Sequence, residues 1–365
     1  MKKHYHRLFI IVIVSLCTAC SLPNNQQTSD LSNSDPNNNS QATLEEVLQA
    51  QHLLAIIKDN HITLVDPNTS KTHSLYKLKP EEFPASHNLL NIQLSPSHDY
   101  LVWYSPQIGF LNLKIGDTSP QIITASSQWL NTNPYFSFHH VKNLMYYVDS
   151  EGTELVTADL STNTVSSITI PSPFGNQFRI SPDDQHVLFI SGFDQTQNQP
   201  QYMFTAINGT DPVRFTTETT LNKRHLVTWL PDSSGIITVH GSNQLIFVPI
   251  NNPTTNELFF TKEVIGDITD LLRIDNQIFV FADSRWHVIN TDTRQEVGRI
   301  PLEIAEVIHR PKFVPWHNNQ ILIEETMRLE PDQYNRLWLS NYIGIKNKIV
   351  DSYHEIVIEN ITPQI

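Results

Sequence analysis

The sequence contains little glycine, lysine, arginine and cysteine, on which phosphate-binding loops, nucleic-acid interfaces and disulfides depend. Only 11 of its 365 residues are glycine, and it has no glycine-rich phosphate loop or dinucleotide-binding fingerprint. Lys and Arg number 24 against 37 Asp and Glu, and the net charge of −13 repels the phosphates of nucleic acids and the headgroups of anionic lipids. We therefore expect no nucleic-acid partner, no cofactor, and no electrostatic adsorption of the protein surface to a membrane.

Cysteine is also scarce, and both cysteines, Cys17 and Cys20, lie near the start of the chain. Exported proteins normally use cysteines in disulfides. If Cys17 is removed with an export signal, Cys20 is left alone, and no structural disulfide can form within the mature chain. A lone exposed thiol is a liability, so a covalent modification of Cys20 would explain its presence.

Residues 1–19 have the pattern of an export signal. Lys2, Lys3 and Arg7 precede an apolar stretch from Leu8 to Leu16, which is nine residues long. A membrane-spanning helix needs about 20 apolar residues, so this stretch is too short to span a bilayer. A basic start followed by a short apolar run is typical of a cleaved signal.

The signal ends in Cys17-Thr18-Ala19-Cys20, which resembles a bacterial lipobox. The resemblance implies cleavage before Cys20 and attachment of a diacylglycerol to its sulfur, so that the acyl anchor alone contacts the bilayer. The usual Leu three residues before the cysteine is replaced here by Cys17, and an ordinary cleaved signal is the alternative. Since Ser21, not Asp, follows Cys20, the resemblance also implies the periplasmic face of the outer membrane.

Residues 20–42 form the lipidated cysteine and a tether, because the segment is rich in Asn, Ser and Gln and has almost no apolar residues to bury. A flexible chain of this length reaches roughly 25 Å. We expect a short helix over residues 43–52, where Thr43 and Glu46 have the spacing of a capping box. Residues 53–365 are then the folded domain.

Apolar runs recur through this domain about every 43 residues. Each run is β-branched or aromatic and is bounded by Asn, Asp, Ser, Gly or Pro, which predicts a strand. Residues 268–301 divide into four such strands joined by short polar turns, and a repeated four-stranded unit of about 40 residues is typical of a β-propeller blade. The runs open at Leu53, Leu101, Leu144, Val187, Ile236, Ile278 and Ile321.

The repeat therefore predicts an all-β protein, a β-propeller of about seven four-stranded blades, with six or eight as alternatives. The first unit lacks an innermost strand, and one strand is left over at residues 354–361. We expect this C-terminal strand to complete the first blade and close the ring, because closure removes exposed sheet edges.

The turns of the repeat resemble those of the WD-repeat-like propellers of the bacterial TolB type, whose blades carry S-P-D-G before an apolar strand. The matching segments are Ser181–Asp184, Ser95–Ser97 and Leu230–Gly235, and the resemblance covers roughly residues 50–365. The scarcity of glycine in these turns departs from the family. The resemblance implies an envelope protein as partner, although TolB-type proteins are soluble and carry a further domain.

Candidates for catalysis or metal binding are few. His139 and His140 are adjacent, and adjacent strand residues face opposite sides, so we expect no metal site there. They also fall in a turn of the repeat that has diverged from S-P-D. Paired carboxylates could serve a glycosidase. They occur at Glu81-Glu82, Asp183-Asp184 and Glu324-Glu325, but Asp183 also suits a turn. A glycan-binding protein or glycosidase is thus the alternative to a protein-binding or assembly module.

Aromatic residues in the connecting segments are the predicted binding residues. Trp129 and Phe174 fall between blades, and Phe193 and Tyr334 fall in the two longest segments between second and third strands, residues 192–201 and 326–335. Exposed aromatics in loops are typical binding anchors, although plugging gaps between blades is the alternative. The predicted partner is an envelope protein or a glycan, bound at the rim that carries these segments.

Overall fold

Antiparallel strands make up most of the part of the chain that the structure describes. The computed structural model describes residues 41–50, 53–58, 60–82, 92–125, 135–170, 177–194, 199–217, 226–260, 266–283, 285–301, 312–316, 320–329, 332–341, 346–353 and 355–356. Side chains are described outside 191–200 and up to residue 299. All of these residues belong to the unit Ser40–Ile365.

One short helix, α1 (Leu44–Leu48), precedes the strands. Both halves of the capping box are present, because Glu46 N–H donates to Thr43 Oγ1 at 3.2 Å and Thr43 N–H donates to Glu46 Oε2 at 2.8 Å. Val47 is fully buried, and Leu44 and Leu48 pack against the first core cluster. In the described chain no helix is both long and apolar enough to cross a membrane.

The described strands pair into four-stranded antiparallel sheets, seven in this part of the chain. Sheet 1 contains β1 (Leu54–Lys58), β2 (His61–Val65), β3 (Thr72–Lys77) and β28 (Glu355–Ile356). Sheet 2 contains β4 (Ile92–Leu94), β5 (Tyr100–Ser105), β6 (Gly109–Lys114) and β7 (Gln121–Ala125). Sheet 3 contains β8 (Phe136–Phe138), β9 (Leu144–Val148), β10 (Glu154–Asp159) and β11 (Thr164–Thr169).

The remaining sheets repeat this order of four consecutive strands. Sheet 4 contains β12 (Gln177–Ile180), β13 (His186–Asp194), β14 (Gln199–Ala206) and β15 (Val213–Thr216). Sheet 5 contains β16 (Val227–Trp229), β17 (Gly235–His240), β18 (Gln244–Pro249) and β19 (Glu257–Leu258). Sheet 6 contains β20 (Asp270–Ile274), β21 (Gln277–Ala282), β22 (Arg285–Asn290) and β23 (Glu296–Pro301), and sheet 7 contains β24 (Lys312–Trp316), β25 (Gln320–Leu329), β26 (Asp332–Asn341) and β27 (Lys346–Tyr353).

Sheet 1 alone combines strands from distant parts of the sequence. Ile56 and Ile57 of β1 pair with Ile356 and Glu355 of β28, at the position that β4 or β8 holds in the other sheets. Glu355 and Ile356 belong to the C-terminal segment that was predicted to complete the first blade. Residues 357–361 of that segment are outside the described residues.

The core lies between successive sheets, because each strand sends alternate side chains to two neighbours. In β5, Trp103 packs towards sheet 1, whereas Val102 and Tyr104 pack towards sheet 3. Further clusters join sheets 3 and 4, sheets 4 and 5, and sheets 5 and 6. Sheets with both faces covered by the next sheet are typical of propeller blades, and the all-β, propeller-like class predicted from the repeat is confirmed.

Polar residues replace glycine in the tight turns. At the turn between the first and second strands, His98, Asp184, Ser233 and Asp275 have φ between 49° and 59°. This left-handed conformation is uncommon without glycine, although Asp and Asn tolerate it better than most residues. The scarcity of glycine therefore leaves a side chain at each of these positions, where the TolB-type motif has none.

Candidate functional site

The strand order places the turns of every sheet at two ends. Turns between the first and second strands and between the third and fourth strands lie at one end, which we call the turn end. Turns between the second and third strands lie at the opposite end together with the connections between sheets, and we call it the connection end. The predicted binding residues belong to the connection end, and the S-P-D segments belong to the turn end.

Two of the predicted binding residues, Trp129 and Phe174, lie outside the described residues. They fall between β7 and β8 and between β11 and β12, in connections between sheets. Cys20 also lies outside the described residues. The roles assigned to these three residues therefore stay predictions.

The other two predicted binding residues, Phe193 and Tyr334, are on strands, and the prediction that they lie in loops is wrong. Phe193 of β13 pairs with Pro200 of β14, and Tyr334 of β26 pairs with Met327 of β25. The polar composition of these segments predicted a loop, but backbone pairing across a hairpin is available to polar residues as well. The structure places Phe193 and Tyr334 near the tips of two long hairpins, and their side chains are outside the described set.

The β13–β14 hairpin continues beyond the rest of sheet 4. The first strand, β12, pairs with β13 only as far as Gln177 opposite Ile190, and the fourth strand pairs with β14 only as far as Thr216 opposite Gln201. Beyond a register shift between Ile190 and Phe193, the two strands pair alone to Asp194 and Gln199. A bulge at such a point bends the hairpin and strengthens its twist.

Sheet 7 has a second and longer extension at the same end. Its β24 pairs with β25 as far as Lys312 opposite Glu324, and its β27 reaches Tyr353 opposite Asn335 of β26. The β25–β26 pairing continues past both points to Leu329 opposite Asp332. In sheets 4 and 7 the connection end therefore carries a ribbon of two strands, whose outer backbone edges lie beyond the neighbouring strands of the sheet.

The turn end is organised around a buried carboxylate. Asp184, whose side chain is 5% exposed, lies 2.8 Å from His139 Nδ1 and 2.8 Å from His140 Nδ1. The backbone N–H of His140 also donates to Asp184 Oδ1 at 3.0 Å. Because β8 ends at Phe138, both histidines lie in a turn, and the expectation that their rings diverge is wrong.

His139 cannot satisfy all of its neighbours at once. Its Nδ1 is 3.1 Å from the amide nitrogen of Val141 and 3.2 Å from that of Lys142, as well as 2.8 Å from Asp184 Oδ2. One ring nitrogen either accepts from an amide or donates to a carboxylate, but not both. Burial lowers the pKa of His139, and the negative charge of Asp184 opposes this shift. The cluster joins sheet 3 to sheet 4.

Similar polar contacts link other neighbouring sheets at the turn end. Asp183 N–H donates to Ser233 Oγ at 3.0 Å, which joins sheets 4 and 5. Ser97 Oγ donates to Asn143 Oδ1 at 2.6 Å, which joins sheets 2 and 3. We call these contacts, together with the Asp184 cluster, the polar belt. Residues of the S-P-D segments thus stabilise the stacking of sheets as well as their own turns.

Three members of the described carboxylate pairs, Asp183, Asp184 and Glu82, make structural contacts. Asp183 accepts from Ser181 Oγ and from the Gln185 amide, and Glu82 accepts from Tyr76 Oη at 3.0 Å and from the Lys79 amide at 3.0 Å. Among the described residues, no group of three or more His, Cys, Asp or Glu is arranged to hold a metal ion. Glu324 and Glu325 lie on β25, where side chains are not described.

A groove of about 490 Å³ lies on the outer side of sheets 1 and 2. Helix α1, strand β3 and the turn between β6 and β7 form its walls, with Lys77 and Lys79 on one side and Asp117 on the other. Sequence reasoning missed this feature because the three segments are far apart in the chain. No spacing or motif links them.

Comparisons with known proteins give similarity to solved structures only. No protein-family model and no curated protein matches the chain. Apo AztD from Citrobacter koseri is 10% identical, with a TM-score of 0.49, over 83% of this chain and 96% of that chain. An oligogalacturonate lyase in complex with manganese is 14% identical, with a TM-score of 0.49, over 77% of this chain and 82% of that one. The dihydro-heme d1 dehydrogenase NirN in complex with DHE is 12% identical, with a TM-score of 0.46, over 82% and 73% of the two chains.

Proposed function

We propose that the protein is a lipid-anchored β-propeller of the bacterial envelope that binds a protein partner through its connection end. The two hairpins that extend beyond sheets 4 and 7 carry this proposal. A two-stranded ribbon offers unpaired backbone groups along its edges, and an extended segment of a partner can pair with such an edge. Sheet 4, which is packed on both faces, holds its ribbon in place, and this suits recognition.

The proposal includes a closed ring of seven blades. The pairing of β28 with β1 supports closure, because it joins the two ends of the folded domain within one sheet. The five core clusters between sheets 1 and 6 support a stack in which each blade covers the next. A closed ring would protect the outer faces of the first and last sheets in the same way.

Attachment through Cys20 is the second part of the proposal. The lipobox-like end of the signal and the lone cysteine of the mature chain support it. The polar tether would hold the propeller roughly 25 Å from the bilayer, on the periplasmic side of the outer membrane. A partner in the envelope is then within reach, as the TolB-type resemblance implies.

The experiment is affinity capture of the tagged protein after crosslinking in intact cells. The test variant replaces residues 191–201 with a two-residue Asn-Gly turn, which removes the β13–β14 extension and joins Ile190 directly to its partner Tyr202. The matched control carries Glu151→Gln, an exposed residue of the β9–β10 turn at the same end, on a hairpin that β11 accompanies as far as Thr169 opposite Glu154. We expect an envelope protein to be captured by the parent and the control and lost from the shortened variant.

Two outcomes would contradict the proposal. Capture of the same partner by the shortened β13–β14 variant and by an equivalent variant of β25–β26 would show that the extensions are not the binding surface. Turnover of a glycan panel by the purified protein, without any stable protein partner, would favour the glycosidase alternative.

A further inference from the structure

The outer strand of each described sheet has one edge without a neighbouring strand in that sheet, and most of these edges are protected. Natural proteins protect edges with charged residues, proline, bulges, short strands or a covering segment. Charged residues or proline lie on four of these strands: Lys77 on β3, Arg214 on β15, Glu296, Arg299 and Pro301 on β23, and Lys346 and Lys348 on β27. Bulges interrupt β3, β7 and β27, and β19 is only two residues long. Two edges also accept a hydrogen bond, since the Ala42 amide donates to Thr72 O on β3 and Asn163 Nδ2 donates to Ile122 O on β7.

Strand β11 lacks these protections except at its Thr169 end, which the β14–β15 turn approaches. Its sequence from Thr164 to Thr169 contains no charged residue, no proline and no glycine. It pairs with β10 through six consecutive residues without a register shift. Five of its six residues are exposed, and Val165 is 46% exposed although it is apolar. A regular, uncharged and exposed edge of this kind is a template for pairing with another strand.

The hydrogen bonds show which backbone groups of β11 face outward. Ile170 N–H donates to Thr153 O at 2.7 Å, so residue 170 points towards β10. Alternate residues of an antiparallel strand point the same way, and Val165, Ser167 and Thr169 therefore face outward. The β14–β15 turn crowds the Thr169 end, since a Cβ on Gly209 would lie 3.6 Å from Thr169 O. Val165 and Ser167 remain the accessible outward residues.

We propose that β11 pairs antiparallel with β11 of a second copy of this chain, about a two-fold axis at Ser166. Val165 N–H then donates to the C=O of Ser167 in the second copy, and Val165 C=O accepts from the N–H of that Ser167. The two-fold axis repeats both bonds between Ser167 of the first copy and Val165 of the second, which gives four N–H···O bonds. Ser166 lies opposite its own copy, where two hydroxyls can hydrogen-bond.

The lack of charge favours a second copy as the occupant. In a two-fold pair each central residue faces itself or a near neighbour, so any charge on the strand meets a like charge. This disfavours the outer strands that carry Lys, Arg or Glu and leaves β7 and β11, of which β7 has a bulge and the Asn163 contact at its edge. The net charge of −13 opposes the approach of two copies, so added salt should strengthen the dimer.

The first test is disulfide trapping in the full chain with Cys17→Ser and Cys20→Ser, so that no native thiol competes. Opposed residues of a non-hydrogen-bonded pair have Cα atoms about 4.5 Å apart, which is within disulfide range. We expect Ser166→Cys to form a covalent dimer quickly under mild oxidation. Ser161→Cys, exposed in the turn before β11, is the matched control and should crosslink only at the slow rate of random collision. Equal rates for the two variants would overturn the proposal.

The second test is sedimentation of the unmodified protein from about 1 μM to about 1 mM, the range in which small interfaces dissociate. We expect a reversible dimer that Ser167→Lys abolishes and that Gln121→Lys, the same change on β7, leaves intact. Both variants should melt like the parent, because residues 121 and 167 are on exposed outer strands. The proposal is overturned if the protein is a monomer at every concentration and salt level. This holds even if β11 is then found to pair with a different protein.

Discussion

At the turn end, polar side chains of neighbouring sheets bind one another, whereas at the connection end two hairpins leave their sheets with backbone edges beyond the neighbouring strands. Groups that are already paired within the fold have little left to offer a ligand, and their loss costs stability. Residues of the hairpin extensions in sheets 4 and 7 pair only within their own hairpin, so their mutation should change the free energy of unfolding little. Their backbone groups are available to a partner. The two ends thus predict opposite effects of mutation, on folding at one and on binding at the other.

Removal of residues 354–365 should have the largest effect, because this segment contains the strand that completes sheet 1. The deletion takes away β28 and leaves the β1 edge unpaired. We expect an insoluble protein, or one that melts at a much lower temperature, in solubility and thermal-melting measurements. A truncated protein that melts like the full chain would show that closure does not depend on this strand.

Asp184→Ala should destabilise the protein by about 1–3 kcal/mol, because it leaves the His140 amide and two imidazoles without their buried acceptor. Asp184→Asn is the matched variant. It tolerates the φ of 57° and keeps an oxygen for the His140 amide, so its loss in chemical denaturation should be smaller. Partner binding by the folded fraction should not change. Equal losses for the two variants would mean that the negative charge of the carboxylate, not the backbone conformation or the acceptor for the His140 amide, sets the cost.

Trp129→Ala and Phe174→Ala should show the reverse pattern once a partner is in hand. Truncation of an aromatic anchor typically costs about 2 kcal/mol or more in binding free energy. Calorimetric affinity and thermal melting of the same preparations give the two quantities. Normal binding by both variants, or unfolding of both while Asp184→Ala alone weakens the complex, would reverse the assignment of the two ends.

The smallest expected effect is a dependence of stability on pH through His139. Burial lowers the pKa of His139 in the folded protein, so near its ordinary pKa the unfolded chain binds more protons than the folded one. The contribution to stability is therefore complete above about pH 6.5 and is lost as the pH falls below that value. We expect His139→Gln to flatten the fall in melting temperature between about pH 6.5 and pH 5.

Glu296 provides an internal control for that measurement in another pH range. Hydrogen bonding to Arg299, the largest cause, and to His287 lowers the pKa of Glu296 to about 2. Its contribution is present above the ordinary carboxyl pKa of 4.5 and is lost as the pH falls towards 2. His139→Gln should leave this acidic loss unchanged, and a variant that alters both ranges equally would point to a general loss of structure.

Local patterns in the sequence predicted the strands well. The four strands predicted within residues 268–301 agree closely with β20 to β23, because each is a short β-branched or aromatic run between turn-forming residues. The capping box at Thr43 is also local and was predictable. Alternation along β5 explains why Trp103 packs towards sheet 1 and Val102 and Tyr104 pack towards sheet 3.

Features that depend on contacts between distant segments were not predictable. His140 and Asp184 are 44 residues apart, and only the stacking of sheets 3 and 4 brings them together. The hairpin extensions were missed because their polar residues lack the alternation that marks a half-buried strand. Neither face of such a ribbon needs to be apolar when it leaves the sheet, so composition carries no signal for it.

The left-handed residues of the turns have a consequence for how the chain assembles. Repeats of similar sequence can dock in the wrong order while a chain folds, and such errors are typical of repeat proteins. With glycine at every turn, the junctions between repeats would be alike. Here one junction needs a carboxylate opposite two imidazoles and the next needs a hydroxyl opposite an amide. The polar groups at each junction therefore pair only with those of the correct neighbouring repeat. A misplaced repeat would leave these groups without a hydrogen-bond partner.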